Sequence, residues 1–155
     1  MLAHLWQKMI QGASGAVLRR QALAPEARLG RQGEEAAYWH LRRHGFVMVE
    51  RNYRPEGLRG EIDLIGWDAG TLVFVEVKTR RADEVLMPEA AVDREKQLHV
   101  AAAAREYRRR AKQSSKPFRF DIVSVLMSSP ASPAEIQIRH FRDAFREGNS
   151  PAETG

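Results

Sequence analysis

Cysteine is absent from the 155-residue sequence, and aromatic residues make up only 8% of it. Without cysteine the chain has no disulfides, thiolate zinc sites or cysteine nucleophiles. The absence of cysteine is compatible with a reducing compartment such as the cytoplasm. Long hydrophobic runs are missing too. The longest strongly apolar run is Leu72-Val73-Phe74-Val75, far short of the roughly 20 residues that a membrane-spanning helix needs. We therefore expect a cytoplasmic protein that does not cross a membrane.

Positive charge is concentrated in two parts of the chain. Lysine and arginine number 25 against 20 acidic residues, a formal net charge of +5. One basic segment carries a single acid, Glu106, among Arg105, Arg108, Arg109, Arg110, Lys112, Lys116 and Arg119; the other comprises Arg51, Arg54 and Arg59. Such clusters favour a polyanionic partner, usually nucleic acid. A solvated helix face is the alternative, and charge alone does not separate the two.

Composition divides the chain into three segments. Residues 1–24 contain no acid and predict an extension, partly helical at Leu2–Ile10, outside the main core. Residues 25–146 carry the periodic apolar patterns of one folded domain. Residues 147–155 have no apolar anchor, which is typical of a disordered tail.

Apolar spacing predicts alternating helices and strands in the central segment. We expect helices over Pro25–His44 and about Glu89–Lys112, the first ended by Gly45. The expected strands are Phe46–Arg51, Glu61–Gly66, Thr71–Thr79, Phe118–Met127 and an edge strand at Ile136–Phe141. The second and third strands form a hairpin across the four residues Trp67–Gly70, and a further turn covers Ser128–Pro133.

The strand at Thr71–Thr79 is apolar on both faces. Period two places three valines on one side and two apolar residues, followed by two charged ones, on the other. A strand of this kind belongs to a sheet covered by helices on both sides, so the fold class is α/β. One face carries Val73, Val75 and Val77. The other face carries Leu72, Phe74, Glu76 and Lys78.

Charged residues at the inner end of such a strand are the candidates for chemistry, because they are rarely buried unpaired. If the hairpin pairs across its turn, Asp63 comes within a residue or two of Glu76, and Lys78 shares the face of Glu76. Two carboxylates with carbonyls and waters suit Mg²⁺ or Mn²⁺, and an ammonium stabilises negative charge on a phosphoryl oxygen. The alternative is a structural ion pair, of Glu76 with Lys78 or of Asp63 with an arginine.

The first helix offers a third carboxylate. At about 100° per residue, Glu34 lies on the flank of the apolar stripe, whereas Glu35 points into solvent. Only Glu34 is therefore expected near the site. The alternative is an exposed acid favoured by the helix dipole.

Several motifs resemble a bacterial family of the YraN type. The resemblance spans about Arg28 to Val125, and its motifs are Gly30–Glu34, Arg51–Arg54, Gly60–Ile65, Val73–Arg80, Ala91–Gln97 and Arg119–Asp121. That family is similar to archaeal Holliday-junction resolvases and to the restriction-endonuclease-like PD-(D/E)xK nucleases. The resemblance implies a central mixed sheet flanked by helices and often a two-fold dimer. It places Glu34, Asp63, Glu76 and Lys78 in catalytic positions, with Gln97 as an assisting polar residue.

The residues and the resemblance together lead us to expect metal-dependent phosphodiester hydrolysis in DNA, with branched DNA as one substrate form. Asp63, Glu76 and the Val77 carbonyl would hold Mg²⁺ or Mn²⁺, and Lys78 would orient the attacking water. The side chains expected to contact nucleic acid are Arg51, Arg54, Arg80, Gln97, Arg108 and Arg109. The alternative is a non-catalytic nucleic-acid-binding protein that retains the nuclease fold.

Overall fold

A computed structural model describes residues 24–82, 93–128 and 135–148. Over this part of the chain, two helices lie against a five-stranded sheet. The α/β class predicted from the sequence is therefore confirmed. The elements are α1 (Pro25–Arg43), β1 (Val47–Tyr53), β2 (Ile62–Asp68), β3 (Thr71–Arg81), α2 (Arg94–Arg110), β4 (Phe118–Met127) and β5 (Ile136–Phe145).

The sheet is mixed, and its strands follow chain order from β1 to β5. Strands β1, β2 and β3 form an antiparallel meander, β3 and β4 are parallel, and β5 returns antiparallel to β4. A parallel pair needs a crossover connection between its strands, and α2 lies in that connection. The central mixed sheet flanked by helices agrees with the expectation.

The hairpin turn is shorter than expected. Ala69 and Gly70 both have positive φ, 45° and 89°, and Asp68 pairs with Thr71 directly across them. Two central residues of positive φ make the kind of turn whose twist matches that of the flanking strands. The four-residue turn predicted for Trp67–Gly70 is therefore wrong, since β2 continues through Asp68 before the chain reverses.

Each face of the sheet has its own apolar core. On the α1 side, Ala37 and Leu41 pack against Leu64, Val73 and Val75. On the α2 side, helix residues pack against the opposite face of the same strands, and these buried residues are Val100, Ala101, Ala103, Ala104, Ile65, Leu72, Phe74, Phe120 and Ile122. The two-sided burial predicted for β3 is confirmed.

Element ends differ from the sequence expectations by a few residues. Helix α1 ends at Arg43, before Gly45 with its φ of 89°, and β5 runs on to Phe145. Helix α2 begins after Asp93, whose side chain accepts a hydrogen bond from the Lys96 backbone amide at 3.0 Å. The expectations for residues 1–23, 89–92, 129–134 and 149–155 lie outside the described residues.

Helix α1 lies very close to the sheet at Gly33. A Cβ atom built on Gly33 would lie 1.7 Å from Oγ1 of Thr79 and 2.7 Å from its Cβ. No side chain therefore fits between the helix and β3 at this point. This close approach sets the position of the next residue, Glu34, relative to the end of β3.

Candidate active site

The candidate site lies where β2 and β3 separate. Their register runs to the pair Leu64–Val75, so the next positions across the ladder are Asp63 and Glu76. Beyond Val75, β3 continues along β4 as far as Arg81. The structure thus brings together the two carboxylates that the hairpin argument placed near each other, at a fork in the sheet.

Asp63 is anchored to the neighbouring strand by its own side chain. The backbone amide of Val77 donates a hydrogen bond to Oδ2 of Asp63 at 2.7 Å. Burial and the nearby charge of Glu76 raise the pKa of Asp63 to about 8, against the opposing effects of the Val77 amide and the Lys96 ammonium. In the metal-free protein Asp63 therefore keeps its proton to a much higher pH than an exposed aspartate.

Glu76 is the most buried acid of the site, with 3% of its side chain exposed. Its Oε1 accepts a hydrogen bond from Nζ of Lys96, whereas its Oε2 is buried and has no hydrogen-bond partner among the described residues. A buried acceptor without a partner is unfavourable. Half of this carboxylate is therefore available to a ligand.

Lys96 is a site residue that the sequence argument missed. Glu76 forms its ion pair with Lys96 and not with Lys78, the structural partner that the sequence offered. Lys96 lies in the first turn of α2, after its N-cap Asp93. The Asp93 cap is the one feature of the sequence that could have pointed to Lys96. It locates the start of the helix, but it does not show against which strand the helix packs.

Lys78 follows Glu76 on the same face of β3 and is half-buried. Burial lowers its pKa, as do the charges of Arg80 and Lys96, while Glu76 and Asp93 act in the opposite direction. Burial is the largest single effect on the pKa of Lys96 and lowers it, but the hydrogen bond and charge of Glu76 together with the charges of Asp63 and Asp93 outweigh burial, so this pKa is raised. The two lysines therefore differ in their contacts: Lys96 is bonded to the Glu76 carboxylate, and Lys78 lies beside Glu76 on the same strand.

Glu34 is half-buried and Glu35 is exposed, as the helix geometry predicted. Burial and the Glu61 charge raise the pKa of Glu34, partly offset by Arg51 and other polar neighbours. Glu34 also raises the pKa of Asp63, but less than Glu76 does. Glu34 is thus close enough to Asp63 for their charges to interact. Glu35 instead pairs with Arg51 at 2.8 Å.

A second buried acid, Asp121 on β4, shows what a purely structural carboxylate looks like here. It accepts hydrogen bonds from Arg119 at 2.9 and 3.1 Å, from the backbone amide of Asp143 at 3.0 Å, and pairs with His140 at 2.8 Å. Despite its burial, these partners lower its pKa. Asp121 is fully satisfied within the fold, whereas Glu76 is not.

The basic residues expected to contact nucleic acid fall into two groups. Near the site, Arg80 lies two residues beyond Lys78, Arg51 pairs with Glu35, and Arg54 donates to Glu61 at 2.7 Å. Gln97 lies in the first turn of α2.

The second group is at the far end of α2. Arg109 donates to both oxygens of Glu106, and Arg108 lies 3.7 Å over the ring of Phe118. The 13 positions between Lys96 and Arg109 correspond to about 20 Å along the helix axis. A ligand that contacts both groups must therefore extend along α2.

A divalent ion fits the donor set at the fork. Mg²⁺ is usually bound through one or two carboxylates and keeps several waters, and Asp63 and Glu76 supply two carboxylates, one with an unpartnered oxygen. The amide of Val77 is bonded to Asp63, so the carbonyl of this residue stays the candidate backbone ligand that the sequence predicted. Within the described ranges no set of three or more Asp, Glu or His side chains converges on one point. The site therefore suits a hydrated Mg²⁺ or Mn²⁺ rather than an all-protein cage.

Sequence comparison relates the chain to proteins of one bacterial family. The sequence model of the Uncharacterised protein family UPF0102 matches residues 33–125. The chain belongs to this family. A UPF0102 protein of Solibacter usitatus is 50% identical over 116 residues, which cover 75% of this chain and 84% of that protein. One from Geotalea uraniireducens is 38% identical over 128 residues, covering 83% and 97%. The matched range includes all the carboxylates and lysines of the fork.

The structure also bears on the membrane expectation. Neither helix of the described residues is both long and apolar enough to cross a bilayer.

Proposed function

We propose that this UPF0102 protein hydrolyses phosphodiester bonds in DNA with the help of Mg²⁺ or Mn²⁺. The observation that carries the proposal is the pair Asp63–Glu76 at the fork, where a buried carboxylate oxygen of Glu76 has no partner within the described part of the chain. A fully structural pair would resemble Asp121, whose oxygens all have partners. An incomplete set of oxygen donors beside a lysine is suited to a hydrated cation and a phosphate.

The residues of the fork have separable roles in this proposal. Asp63, Glu76 and the Val77 carbonyl would hold the divalent ion, which would supply charge stabilisation and make a coordinated water more acidic. Lys78, on the same face of β3, orients the attacking water and stabilises the charge that develops on the phosphoryl oxygens. Glu34 accepts a hydrogen bond from a water in the site.

DNA is proposed as the substrate because cations surround the acidic fork. Arg51, Arg54 and Arg80 bind phosphates on either side of the scissile bond and position the duplex without reading its sequence. Gln97 would contact the strand near the start of α2, and Arg108 and Arg109 would contact it further along the helix. The proposed setting is the cytoplasm, where the DNA is, and the proposed assembly is a two-fold dimer acting on branched DNA.

A binding protein without catalysis is the second candidate function. It is favoured by the Lys96–Glu76 ion pair, which neutralises the most buried acid of the fork without a metal. Such a protein would use the same basic residues to contact phosphates. It would have no requirement for Mg²⁺ or Mn²⁺.

Two alanine variants distinguish the candidates because they remove opposite charges from one site. For a nuclease, Asp63→Ala and Lys78→Ala both abolish cleavage of a panel of duplex, single-stranded and branched DNA in Mn²⁺. In chelator above pH 8, where Asp63 is ionised, Asp63→Ala should bind DNA as well as or better than wild type, since it removes a negative charge facing the phosphate. Lys78→Ala should bind more weakly for the converse reason.

The control is Glu35→Gln, which removes an exposed acid one residue from Glu34 and should leave cleavage intact. Circular dichroism establishes that each variant is folded. If the folded wild-type protein cleaves none of these substrates with Mg²⁺ or Mn²⁺, the nuclease proposal is wrong and the binding protein takes its place.

A further inference from the structure

The two partners of the Glu76 ion pair differ sharply in their freedom to move. The Glu76 side chain is 3% exposed, whereas the Lys96 side chain is 51% exposed. Glu76 is held in a central strand whose register with β4 continues on both sides of it. Lys96 is carried by a flexible four-carbon stem, so its ammonium can turn into water while Glu76 stays in place.

Helix α2 does not need to move for this change. The Asp93 side chain caps the helix through the backbone amide of Lys96, a contact that does not involve the lysine side chain. The Asp93 carboxylate also acts on the charge of Lys96, so it lies close enough to attract the ammonium after release. Departure of the ammonium from Glu76 therefore leaves the fold of the site intact.

A divalent ion and the Lys96 ammonium cannot share Glu76 without strong repulsion. A divalent ion held by Glu76 would bind the carboxylate directly, and the Lys96 ammonium is hydrogen-bonded to the same carboxylate. Both cations would then lie within a few ångströms of each other in a half-buried setting, where like charges are poorly screened.

We propose that the Lys96 ammonium, bound to Oε1 of Glu76 in the metal-free protein, competes electrostatically with a divalent ion at the unpartnered Oε2, so that this residue sets the metal affinity of the site. The inference rests on the proposed metal-dependent function and adds the residue that tunes it. In the metal-free state the lysine compensates the buried carboxylate. In the metal-bound state it is released toward solvent, where it is free to meet a phosphate.

The test measures Mn²⁺ affinity and metal-free stability on the full-length chain. Isothermal titration with Mn²⁺ alone gives the dissociation constant, and thermal unfolding in chelator gives the Tm, for wild type, Lys96→Gln and Lys96→Arg. Lys96→Gln keeps a hydrogen-bond donor near Glu76 but removes the charge. We expect it to bind Mn²⁺ about tenfold more tightly, as is usual for loss of a close charge interaction, and to have a lower Tm in chelator.

Lys96→Arg retains the charge and should bind Mn²⁺ no more tightly than wild type. The matched control is Arg94→Gln, which removes a positive charge from the same turn of α2 and should change neither quantity by as much. If Lys96→Gln unfolds in chelator, the Mn²⁺ concentration that restores half of its helical circular dichroism replaces the titration. Failure to fold at saturating Mn²⁺ would make Lys96 purely structural and overturn the inference.

Asp63→Asn separates this inference from the proposed function. If wild type binds Mn²⁺ through Asp63 but Lys96→Gln binds no more tightly, the inference is wrong and the metal site stands. If only Lys96→Gln binds Mn²⁺, competition is supported and the wild-type protein is not a metal-dependent enzyme. If neither protein binds Mn²⁺, both proposals are overturned.

Discussion

The backbone amide of Val77 and the side chain of Asp63 are joined by a 2.7 Å hydrogen bond across the gap between β2 and β3. This bond lies one step beyond the last register pair of the hairpin, Leu64–Val75. It therefore holds the two strands together where their ladder has ended, and it keeps the Asp63 carboxylate beside Glu76.

Divalent ions should stabilise the protein, and Asp63→Asn should remove most of that effect. An ion that binds only the folded state adds about 2.7 kcal/mol at a hundredfold excess over its dissociation constant. Asparagine has nearly the same shape and its side-chain oxygen can still accept the Val77 hydrogen bond, so the variant should fold. Thermal unfolding with Mn²⁺ and with chelator measures the shift. Equal shifts in wild type and variant would remove Asp63 from the metal site.

Metal-free stability should fall as pH rises from about 4 to 8. The pKa of Asp63 is about 8 in the folded protein and about 3.9 in an unfolded chain, so in this window the folded state holds a proton that the unfolded state has lost. The free energy of unfolding then decreases by up to about 1.4 kcal/mol per pH unit and levels off above pH 8. Urea unfolding in chelator at several pH values measures the slope.

The control for this pH dependence is Asp63→Asn, which cannot titrate. Burial lowers the pKa of His40, so this histidine contributes stability that is lost as pH falls below its unfolded pKa of about 6.5, opposite in sign to Asp63. The informative quantity is consequently the difference between wild type and variant. A difference that does not vary with pH would contradict the raised pKa.

The two buried aspartates should respond in opposite ways to the same substitution. Asp121→Asn breaks a buried network with Arg119 and His140 and should reduce the free energy of unfolding by about 3–5 kcal/mol. Asp63→Asn removes repulsion with Glu76 and should be neutral or stabilising at pH 8 in chelator. Urea unfolding of both variants under identical conditions checks this. A large loss in both would mean that Asp63 is as structural as Asp121.

Gly33→Ala should destabilise the protein, whereas Gly30→Ala in the same helix should not. A methyl group at Gly33 would overlap Thr79, but nothing lies within 4 Å of a Cβ at Gly30. Forcing α1 away from β3 should reduce the free energy of unfolding by about 1–3 kcal/mol, while alanine at Gly30 should add up to about 1 kcal/mol of helix propensity. Because Glu34 moves with the helix, Gly33→Ala should also weaken cleavage. Equal stability of the two variants would contradict the close approach.

DNA affinity should depend steeply on salt, and individual arginines should contribute separately to that slope. Each phosphate contact adds about −0.9 to the slope of log affinity against log salt on duplex DNA. Arg80→Gln and Arg109→Gln should each reduce the slope by about that amount if the duplex contacts both the fork and the C-terminal end of α2. Fluorescence anisotropy at several salt concentrations measures it. The control is Arg142→Gln, since Arg142 pairs with Asp68 at the opposite end of β2 from Asp63.

If Arg80→Gln reduces the salt slope and Arg109→Gln does not, Arg109 does not contact the duplex. The pairing of Arg109 with Glu106 would then be a feature of a solvated helix face. The DNA path would be restricted to the fork.

Local patterns in the sequence determined most of the fold. The alternation of Val73, Val75 and Val77 with Leu72 and Phe74 required a strand buried on both faces, because the side-chain period of a strand is two. Hairpin pairing placed Asp63 beside Glu76 for the same reason, and the 100° helical step separated Glu34 from Glu35. These inferences depend only on backbone geometry over neighbouring residues, which is why they could be made without the tertiary structure.

The tertiary structure alone decided which charges meet across long separations. Glu76 and Lys96 are 20 residues apart, and their ion pair exists because the α2 crossover brings the first turn of that helix back over β3. No period in the sequence reports such a contact, and the sequence pointed instead to Lys78, two positions away. The satisfied network of Asp121 likewise depends on His140 and Asp143, which β5 brings beside it. Packing of distant elements, and not local spacing, therefore distinguishes Asp121, whose oxygens all have partners, from Glu76, which has one oxygen open to a ligand.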